Sequence, residues 1–357
     1  MNGLPDTFTR QSFSQRVRFG SGTLNDLTHE VERLGTARSM LIGGGSASDV
    51  VDRARAVLGS RAQSVFDEPQ QHVPRSVVDA ATELATATNA DSLVCIGGGK
   101  AIGVAKAVAL ELRLPIVAVP TTLSGSEATP IYGVSEDGRK NTGRDQIVLP
   151  QTVIYDSDLF ESLPIHVAGP SGMNALAHAI GALLNPGSDP ITVMIGEGAC
   201  RTIFDVLRRL AKEDARATVT GGDLAISGYL GGYSLTHAGV WFHHKVCHIL
   251  GGLYELTHAP THAAMLPHSV SVLKKHDTDA YNKLGRALQS RRPEETLFNI
   301  LKDVSEPYAL RDLGLNADMA ATAAQKVSEA LPMFDEADAQ DMINRAIKGE
   351  FLTADEK

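Results

Sequence analysis

The chain has few cysteines, no long apolar run and no block of basic residues. Cys95, Cys200 and Cys247 stand apart without a Cys-x-x-Cys spacing, so we expect buried, reduced thiols. No hydrophobic run approaches the roughly 20 residues that a membrane-spanning helix needs. The start, MNGLPDTFTRQSF, has no apolar targeting segment. We therefore expect a cytoplasmic protein that does not contact a membrane.

The charge balance is acidic. Lys and Arg number 33 against 42 Asp and Glu, which gives a net charge of -9. A surface that binds nucleic acid needs clustered Lys and Arg to track the phosphates, so the composition argues against such a partner. With 357 residues, 43% of them hydrophobic, and no internal repeat, the chain has the size and composition of a two-domain globular enzyme.

Short apolar strands alternate with helices in the first half of the chain, which is typical of a parallel α/β sheet. Ser39 to Ile42 and Ser92 to Ile96 are predicted strands, and each runs into three glycines. From about Asp156 onward, helical spacing dominates. We predict an α/β dinucleotide-binding domain over residues 1–157 and a helical substrate or catalytic domain over residues 158–357.

Two turns that follow predicted strands are candidates for cofactor binding. A glycine cluster between a strand and a helix lets backbone amides approach a pyrophosphate at the helix N-terminus. GGGKAIGVAK at Gly97 is not GxGxxG, and glycine turns also close many ordinary βα units. PTTLSGSEATP at Pro120 either holds ribose or nicotinamide groups or is a polar turn without a ligand. The predicted cofactor-binding residues are Gly44, Gly97, Gly98, Gly99, Lys100, Thr121, Thr122 and Ser126.

Half of the twelve histidines lie in one segment, WFHHKVCHILGGLYELTHAPTHAAMLPH. Imidazole suits both metal ligation and proton transfer near neutral pH. His244 and His248 are four residues apart and would share one face of a helix, which Gly251 and Gly252 would then end. The six are His243, His244, His248, His258, His262 and His268.

A second pair repeats this spacing. Asn174 and His178 are also four residues apart, in GMNALAHAIGALL, and His258 follows His248 after a connection short enough to fold back. One such histidine by itself is often a satisfied core or surface residue. The repetition on two helices favours a common site.

Five motifs in this order resemble the iron-containing (group III) alcohol dehydrogenases across nearly the whole chain. They are FGSG near Phe19, GGGKAIGVAK, PTTLSGSEATP, GMNALAHA at Gly172, and HHKVCHILGG with THAPTHAAMLPH. HHKVCHILGG, together with TGRD at Thr142 and VIYD at Val153, is similar to the maleylacetate reductase branch. The resemblance implies a Rossmann-like α/β N-terminal domain, an all-α C-terminal domain as in dehydroquinate synthase, an active site in the cleft between them, and a homodimer.

The resemblance also implies a metal site with one departure. The family's metal is held by one aspartate and three histidines, and the matching positions are Asn174, His178, His244 and His258. Asparagine in place of aspartate removes the anionic ligand, so a hard Fe²⁺ site should be much weakened. A Zn²⁺ ion held by His178, His244 and His258 stays possible. We expect that a metal is not required.

The branch uses NADH or NADPH to reduce the olefinic bond of maleylacetate, a small dicarboxylate, giving 3-oxoadipate in the degradation of aromatic compounds. Negative charge develops on the ketone oxygen, where hydrogen-bond donors or a protonated imidazole would stabilise it. The residues expected to polarise the ketone and relay a proton are His243, His244 and His248, with Asn174, His178 and His258 lining the same pocket. Lys140 and Arg144 either contact the anion or are solvated charges.

The cofactor preference is left open by the sequence. NAD-preferring members of the family carry an aspartate near the end of the first strand, where this chain has Gly43 and Gly44. Without that anion, the 2'-phosphate of NADPH is not repelled, so we expect either cofactor to be tolerated. Lys100 stands where serine is usual, which leaves the phosphate geometry open.

Three other functions are compatible with parts of the pattern. A metal-dependent alcohol dehydrogenase of the same family would bind stoichiometric metal and lose activity on chelation, and Asn174 argues against it. A relative of dehydroquinate synthase would need a fuller set of phosphate-binding lysines and arginines. A nucleotide- or metal-binding sensor would bind cofactor without turnover, and the histidine constellation argues against it.

Overall fold

The computed structural model describes residues 7–137, 139–212 and 214–351, without the side chains of Arg139, Lys140 and Arg216. This part of the chain divides into two compact units. The α/β unit consists of Arg10–Leu163 and Thr220–Thr236, and the helical unit consists of Pro164–Val219 and residues 237–351 with residues 7–9. The predicted division at 157 and 158 stays a prediction. The sequence does not reveal that 220–236 belongs with the α/β unit.

A six-stranded parallel sheet forms the centre of the α/β unit. Its strands and a separate hairpin are β1 Arg16–Gly20, β2 Ser39–Ile42, β3 Ala62–Phe66, β4 Ser92–Gly97, β5 Ile116–Pro120, the hairpin β6 Ile131–Glu136 and β7 Arg139–Arg144, and β8 Thr152–Asp156. The sheet order is β1-β8-β5-β4-β2-β3. Strands β2, β4, β5 and β8 are buried along their whole length, as expected for a parallel sheet covered on both faces.

Four helices connect successive strands from β1 to β5: α1 Leu27–Arg33, α2 Ser48–Leu58, α3 Arg75–Ala87 and α4 Gly99–Leu112. The distant segment adds most of α8 Gly221–Ala238 to this unit. Alternating strands and helices give the predicted Rossmann-like α/β architecture, which is confirmed. The observed β2 has the predicted bounds, and β4 extends one residue further, to Gly97.

Every regular element in the described part of the helical unit is a helix, which confirms the predicted all-α second domain. The α-helices are α5 Ile165–Leu184, α6 Pro190–Leu210, α7 Ala215–Thr218, α9 Phe242–Tyr254, α10 His258–His276, α11 Thr278–Ala287, α12 Pro293–Val304, α13 Ala317–Ala330 and α14 Glu336–Lys348. A short 3-10 helix also spans Leu310–Leu313.

Helix α5 is the core of this unit, because it is buried without interruption from Gly172 to Leu184. Glycine allows its neighbours to approach closely. A Cβ atom at Gly169 would lie 1.9 Å from the carbonyl oxygen of Val304, and one at Gly196 of α6 would lie 2.6 Å from the backbone nitrogen of Leu183. Helix α5 therefore holds its side chains in fixed positions. Within the described residues, we find no helix that combines the length and apolar character needed to cross a membrane.

Candidate active site

Three helices of the helical unit carry the histidines that the sequence singles out. Asn174 and His178 lie on α5, His244 and His248 lie on α9, and His258 is the first residue of α10. The four-residue spacing brings the rings of His244 and His248 to a centroid distance of 6.3 Å. The short connection does return His258 to within 6.1 Å of the His248 ring.

The predicted end of the first histidine helix is wrong. Helix α9 continues through Gly251 and Gly252 to Tyr254. It ends at Glu255, whose φ of 53° is left-handed. Non-glycine residues sometimes end helices in this conformation. Gly251 and Gly252 therefore lie inside the last turn.

Six imidazoles pack together and form what we call the histidine cluster. The rings of His178 and His244 stack at 4.4 Å, and the His262 ring lies 4.5 Å from His244 and 4.3 Å from His258. The members of the cluster are His178, His243, His244, His248, His258 and His262. The structure thus brings together all five histidines predicted to be catalytic, while their chemical roles stay predictions.

Burial keeps four rings of the cluster neutral. Burial, followed by the charges of His258 and His248, lowers the pKa of His178 to about 3. Burial also lowers the pKa of His243 to about 3, and it holds the pKa values of His244 and His262 well below the usual 6.5. A neutral imidazole offers one N–H donor and one lone pair. At neutral pH these rings are therefore hydrogen-bonding groups and not charged acids.

Four buried polar atoms of this site have no hydrogen-bond partner among the described residues. They are Asn174 Oδ1, His178 Nδ1, His244 Nε2 and His262 Nε2. A buried polar atom without a partner costs about 1–3 kcal/mol. Their concentration around one cluster is what a site that binds a polar ligand requires.

His243 and His262 are joined in a buried chain of polar contacts. His243 Nδ1 lies 2.9 Å from Ser269 Oγ, and His243 Nε2 lies 3.2 Å from His262 Nδ1. The Sγ atom of Cys247 lies 3.7 Å from His243 Nε2. His243 is fully buried, and its polar contact with another ring of the cluster is the one to His262.

Sequence reasoning missed His262 and Ser269 as site residues. The available signal for His262 was its four-residue spacing from His258, whereas nothing in the sequence distinguishes Ser269. His268 belongs elsewhere, because its ring stacks on Phe351 at 4.9 Å.

A metal ion needs several ligand atoms that lie close together. In two groups of three residues, the ligand atoms lie within 4.8 Å of one another. The groups are His243, Cys247 and His262, and His248, His258 and His262. The predicted set of His178, His244 and His258 is not one of these groups and stays a prediction.

The nature of these donors decides which ion is suitable. Neither group contains a carboxylate, and Asn174 contributes a neutral amide oxygen. Iron in sites of this type is normally held by imidazoles together with an anionic oxygen. The residues present therefore do not fit a hard Fe²⁺ ion, although three imidazoles are compatible with Zn²⁺.

In the α/β unit, the predicted cofactor residues lie at the carboxyl ends of β2, β4 and β5. A Cβ atom at Gly98 would lie 2.7 Å from Thr122 Oγ1, and the backbone nitrogen of Thr121 donates to the carbonyl oxygen of Gly97 over 3.2 Å. Gly99 begins α4, Lys100 is exposed, and the first turn has no acidic residue. This helix N-terminus fits a phosphate group, while the individual cofactor contacts stay predictions.

A buried lysine, Lys106, holds the turn after β5 in place. It was not predicted from the sequence. Lys106 Nζ donates to the carbonyl oxygens of Ser126, Thr129 and Ile131 over 2.6, 2.7 and 2.8 Å. Burial lowers the pKa of Lys106 to about 7. Because one side chain joins three carbonyl groups, it fixes the shape of the turn that contains Ser126.

Lys140 and Arg144 are the two cationic residues predicted either to contact the substrate anion or to be solvated. Arg144 Nη2 donates to the carbonyl oxygen of Thr236 over 2.7 Å, and its guanidinium lies 5.4 Å from the centre of the Phe13 ring. Its contacts therefore support the α/β unit. The side chain of Lys140 lies outside the described residues.

Comparison with known proteins agrees with this architecture. The sequence model described as iron-containing alcohol dehydrogenase matches residues 14–157, and the model described as the C-terminal part of the Fe-containing alcohol dehydrogenase family matches residues 169–344. A maleylacetate reductase of Sphingobium indicum is 36% identical over 346 residues, covering 96% of this chain and 98% of that protein. One of Burkholderia cepacia is 38% identical over 314 residues, covering 87% and 89%.

Solved structures extend the comparison. The maleylacetate reductase of Agrobacterium tumefaciens superposes with a TM-score of 0.88 at 32% identity, covering 97% of this chain and 99% of that chain. Sulfoacetaldehyde reductase of Bifidobacterium kashiwanohense has a TM-score of 0.84 at 18% identity, covering 96% and 100%, and therefore shows the fold alone. Because the two family models cover most of the sequence and the relatives match both units, the chain belongs to the iron-containing alcohol dehydrogenase family.

Proposed function

We propose that this protein reduces the olefinic bond of maleylacetate to give 3-oxoadipate, using NADH or NADPH. Two relatives that match it over most of its length, at 36% and 38% identity, are maleylacetate reductases. The observation on this chain that carries the proposal is the group of four buried, neutral imidazoles near Asn174, an amide at the position where the family resemblance places a metal-binding carboxylate. A homodimer and a role in aromatic degradation remain parts of this proposal.

The chemistry needs a site that stabilises an oxyanion. When bound, NADH or NADPH supplies the hydride, which adds to the olefin carbon distal to the ketone. The olefin electron pair then forms the new carbon–carbon double bond of an enolate while the carbonyl pair moves to the ketone oxygen, and a proton added at carbon completes the reduction. A preorganised donor at such an oxygen contributes about 10²- to 10³-fold in rate.

Neutral imidazoles can provide these donors without a metal. His244 is buried and its Nε2 atom has no partner among the described residues, so it is available to polarise the ketone. His248 and His258 lie on the exposed side of the cluster, where a proton can be exchanged with solvent. We assign His178 and Asn174 to lining the same pocket, with the Asn174 amide suited to a ketone or carboxylate oxygen.

The strand ends favour NADH as the cofactor. Asp67 follows β3, the neighbour of β2, and a Cβ atom at Gly44 would lie 2.1 Å from the carbonyl oxygen of Asp67. Segments 43–49 and 67–72 contain Asp49, Asp67 and Glu68 but no Lys or Arg. We therefore propose that Asp67 supplies the anion that Gly43 and Gly44 lack and that it disfavours the 2'-phosphate of NADPH.

The experiment that tests the function measures oxidation of NADH and NADPH by absorbance, with maleylacetate as substrate and protein pretreated with a strong chelator. We expect turnover to survive chelation. Activity with maleylacetate that is lost and then returns with Fe²⁺ or Zn²⁺ would mean that the site works with a metal despite Asn174. If maleylacetate causes no oxidation of either cofactor while simple aldehydes do, the maleylacetate proposal is wrong.

A further inference from the structure

We propose that His262 donates a hydrogen bond to the ketone oxygen of the substrate, and that Ser269 and His243 are positioning residues that fix the tautomer required for this. The inference rests on the proposed reduction of maleylacetate. It assigns a catalytic role to a histidine for which the sequence predicted none, and it gives His243 a role distinct from that of its neighbour His244.

The contacts form one continuous line through the helical unit. Ser269 Oγ lies 2.9 Å from His243 Nδ1, and His243 Nε2 lies 3.2 Å from His262 Nδ1. Ser269 and His243 are completely buried and His262 is 1% exposed. The line ends at His262 Nε2, a buried atom without a partner among the described residues.

Each ring in this line has a single N–H, so the proton positions are coupled. When the Ser269 hydroxyl donates to His243 Nδ1, the proton of His243 is on Nε2 and donates to His262 Nδ1. The proton of His262 must then lie on Nε2, which makes that atom a donor. In the reverse arrangement, the Ser269 hydroxyl accepts a hydrogen bond from His243 Nδ1. His262 Nε2 then carries a lone pair and no proton. The orientation of one hydroxyl therefore decides the chemistry of the last atom.

The ring at the end of the line lies next to two exposed histidines. A ring nitrogen of His262 lies within 4.8 Å of ring nitrogens of His248 and His258, both of which are exposed. The His244 ring is 4.5 Å away. An N–H at His262 Nε2 thus adds a second donor beside His244, at the place where an oxyanion needs more than one.

Kinetics of two serine variants on the same helix test the positioning role. Ser269→Ala removes the hydroxyl from the line, whereas Ser271→Ala removes a hydroxyl that bonds only to its own helix, at the carbonyl oxygen of His268 over 2.7 Å. Loss of such a supporting contact typically costs about 10- to 100-fold in activity. We expect Ser269→Ala to lower kcat for maleylacetate by about this factor with little change in the KM for NADH, and Ser271→Ala to behave like the wild type.

The tautomers themselves are measured by ¹⁵N NMR of the histidine side chains in the wild-type protein without substrate. We expect the proton of His262 on Nε2, and in Ser269→Ala a redistribution toward Nδ1. A wild-type His262 with its proton on Nδ1 would overturn the proposal, as would an altered tautomer without any change in kcat. Because the NMR measurement needs neither substrate nor turnover, it separates failure of this inference from failure of the proposed reaction.

Discussion

Asn174 is an amide at the position where the resemblance to the family places a metal-binding aspartate. It lies on the buried helix α5 one turn before His178, and it is 3% exposed. A carboxylate at this depth among neutral rings would need a cation to compensate its charge. The amide has no such requirement, so the neutral side chain and the depressed pKa of His178 are consistent with each other.

An aspartate at position 174 should strengthen metal binding at the histidine cluster. We expect Asn174→Asp to bind Zn²⁺ or Fe²⁺ more tightly than the wild type by about tenfold or more, equivalent to about 1.4 kcal/mol. Without metal, the uncompensated carboxylate should lower the melting temperature. Calorimetric titration with Zn²⁺ and thermal unfolding with and without chelator measure both effects. Asn185→Asp, at the end of the same helix, is the control, and equal Zn²⁺ affinity in all three proteins would contradict the prediction.

At the scale of elements, the junction of β4 and α4 should be sensitive to a single methyl group. A Cβ atom at Gly98 would lie 2.7 Å from Thr122 Oγ1, whereas the nearest atom to one at Gly99 is 3.9 Å away. Gly98→Ala must therefore displace Thr122 or the start of α4. We expect it to weaken NADH binding by about tenfold, or about 1.4 kcal/mol, in a fluorescence titration. Gly99→Ala is the matched control, and equal affinities for the two variants would refute a phosphate site here.

The ends of β2 and β3 make a separate prediction about cofactor choice. Asp67→Ser removes the carboxylate of the residue whose backbone carbonyl faces Gly44, so we expect the kcat/KM ratio of NADPH to NADH to rise by about tenfold. Calorimetry with ADP and with 2',5'-ADP should show the same change in preference without catalysis. Glu68→Ser, one residue further, should leave the ratio unchanged. The assignment of Asp67 fails if the two variants behave alike.

The bounds of single strands and helices were more predictable from the sequence than the contacts between these elements. The bounds of β2 were predicted correctly, because a buried apolar strand next to glycines has a distinct local pattern. The end of α9 was misjudged because glycine inside a helix costs only about 1 kcal/mol and tertiary packing overrides it. The strand order and the association of 220–236 with the α/β unit depend on contacts between distant residues.

The candidate site shows the same limit. Helical spacing predicted His178, His244 and His248 as site residues, because residues four apart share one face of a helix. His262 and Ser269 acquire their importance from contacts between α9 and α10, on which local spacing says nothing. Their importance therefore emerged only from the packed structure.

At the scale of the whole molecule, stability should depend on pH through a buried carboxylate that joins distant elements. Glu30 of α1 accepts hydrogen bonds from Arg16 of β1 over 3.0 Å and from Thr152 of β8 over 3.3 Å. Arg33 also donates to it over 3.1 Å. Burial raises the pKa of Glu30, but the hydrogen bonds from Arg16 and Arg33 outweigh it and lower the pKa below the usual 4.5.

A carboxylate with a lowered native pKa contributes stability that is complete above its unfolded pKa and is lost as the pH falls through the native pKa. Glu30→Gln should therefore lower the free energy of unfolding by about 1–2 kcal/mol at neutral pH, allowing for the partial exposure of both arginines. The melting temperature should fall by about 2–8 °C. Thermal unfolding from neutral pH to acid should show this difference shrinking below the usual pKa of 4.5. Glu329→Gln changes a carboxylate paired with Lys326 at the surface and should have no measurable effect. A Glu30→Gln deficit that is constant with pH would mean that the network acts through packing and not through charge.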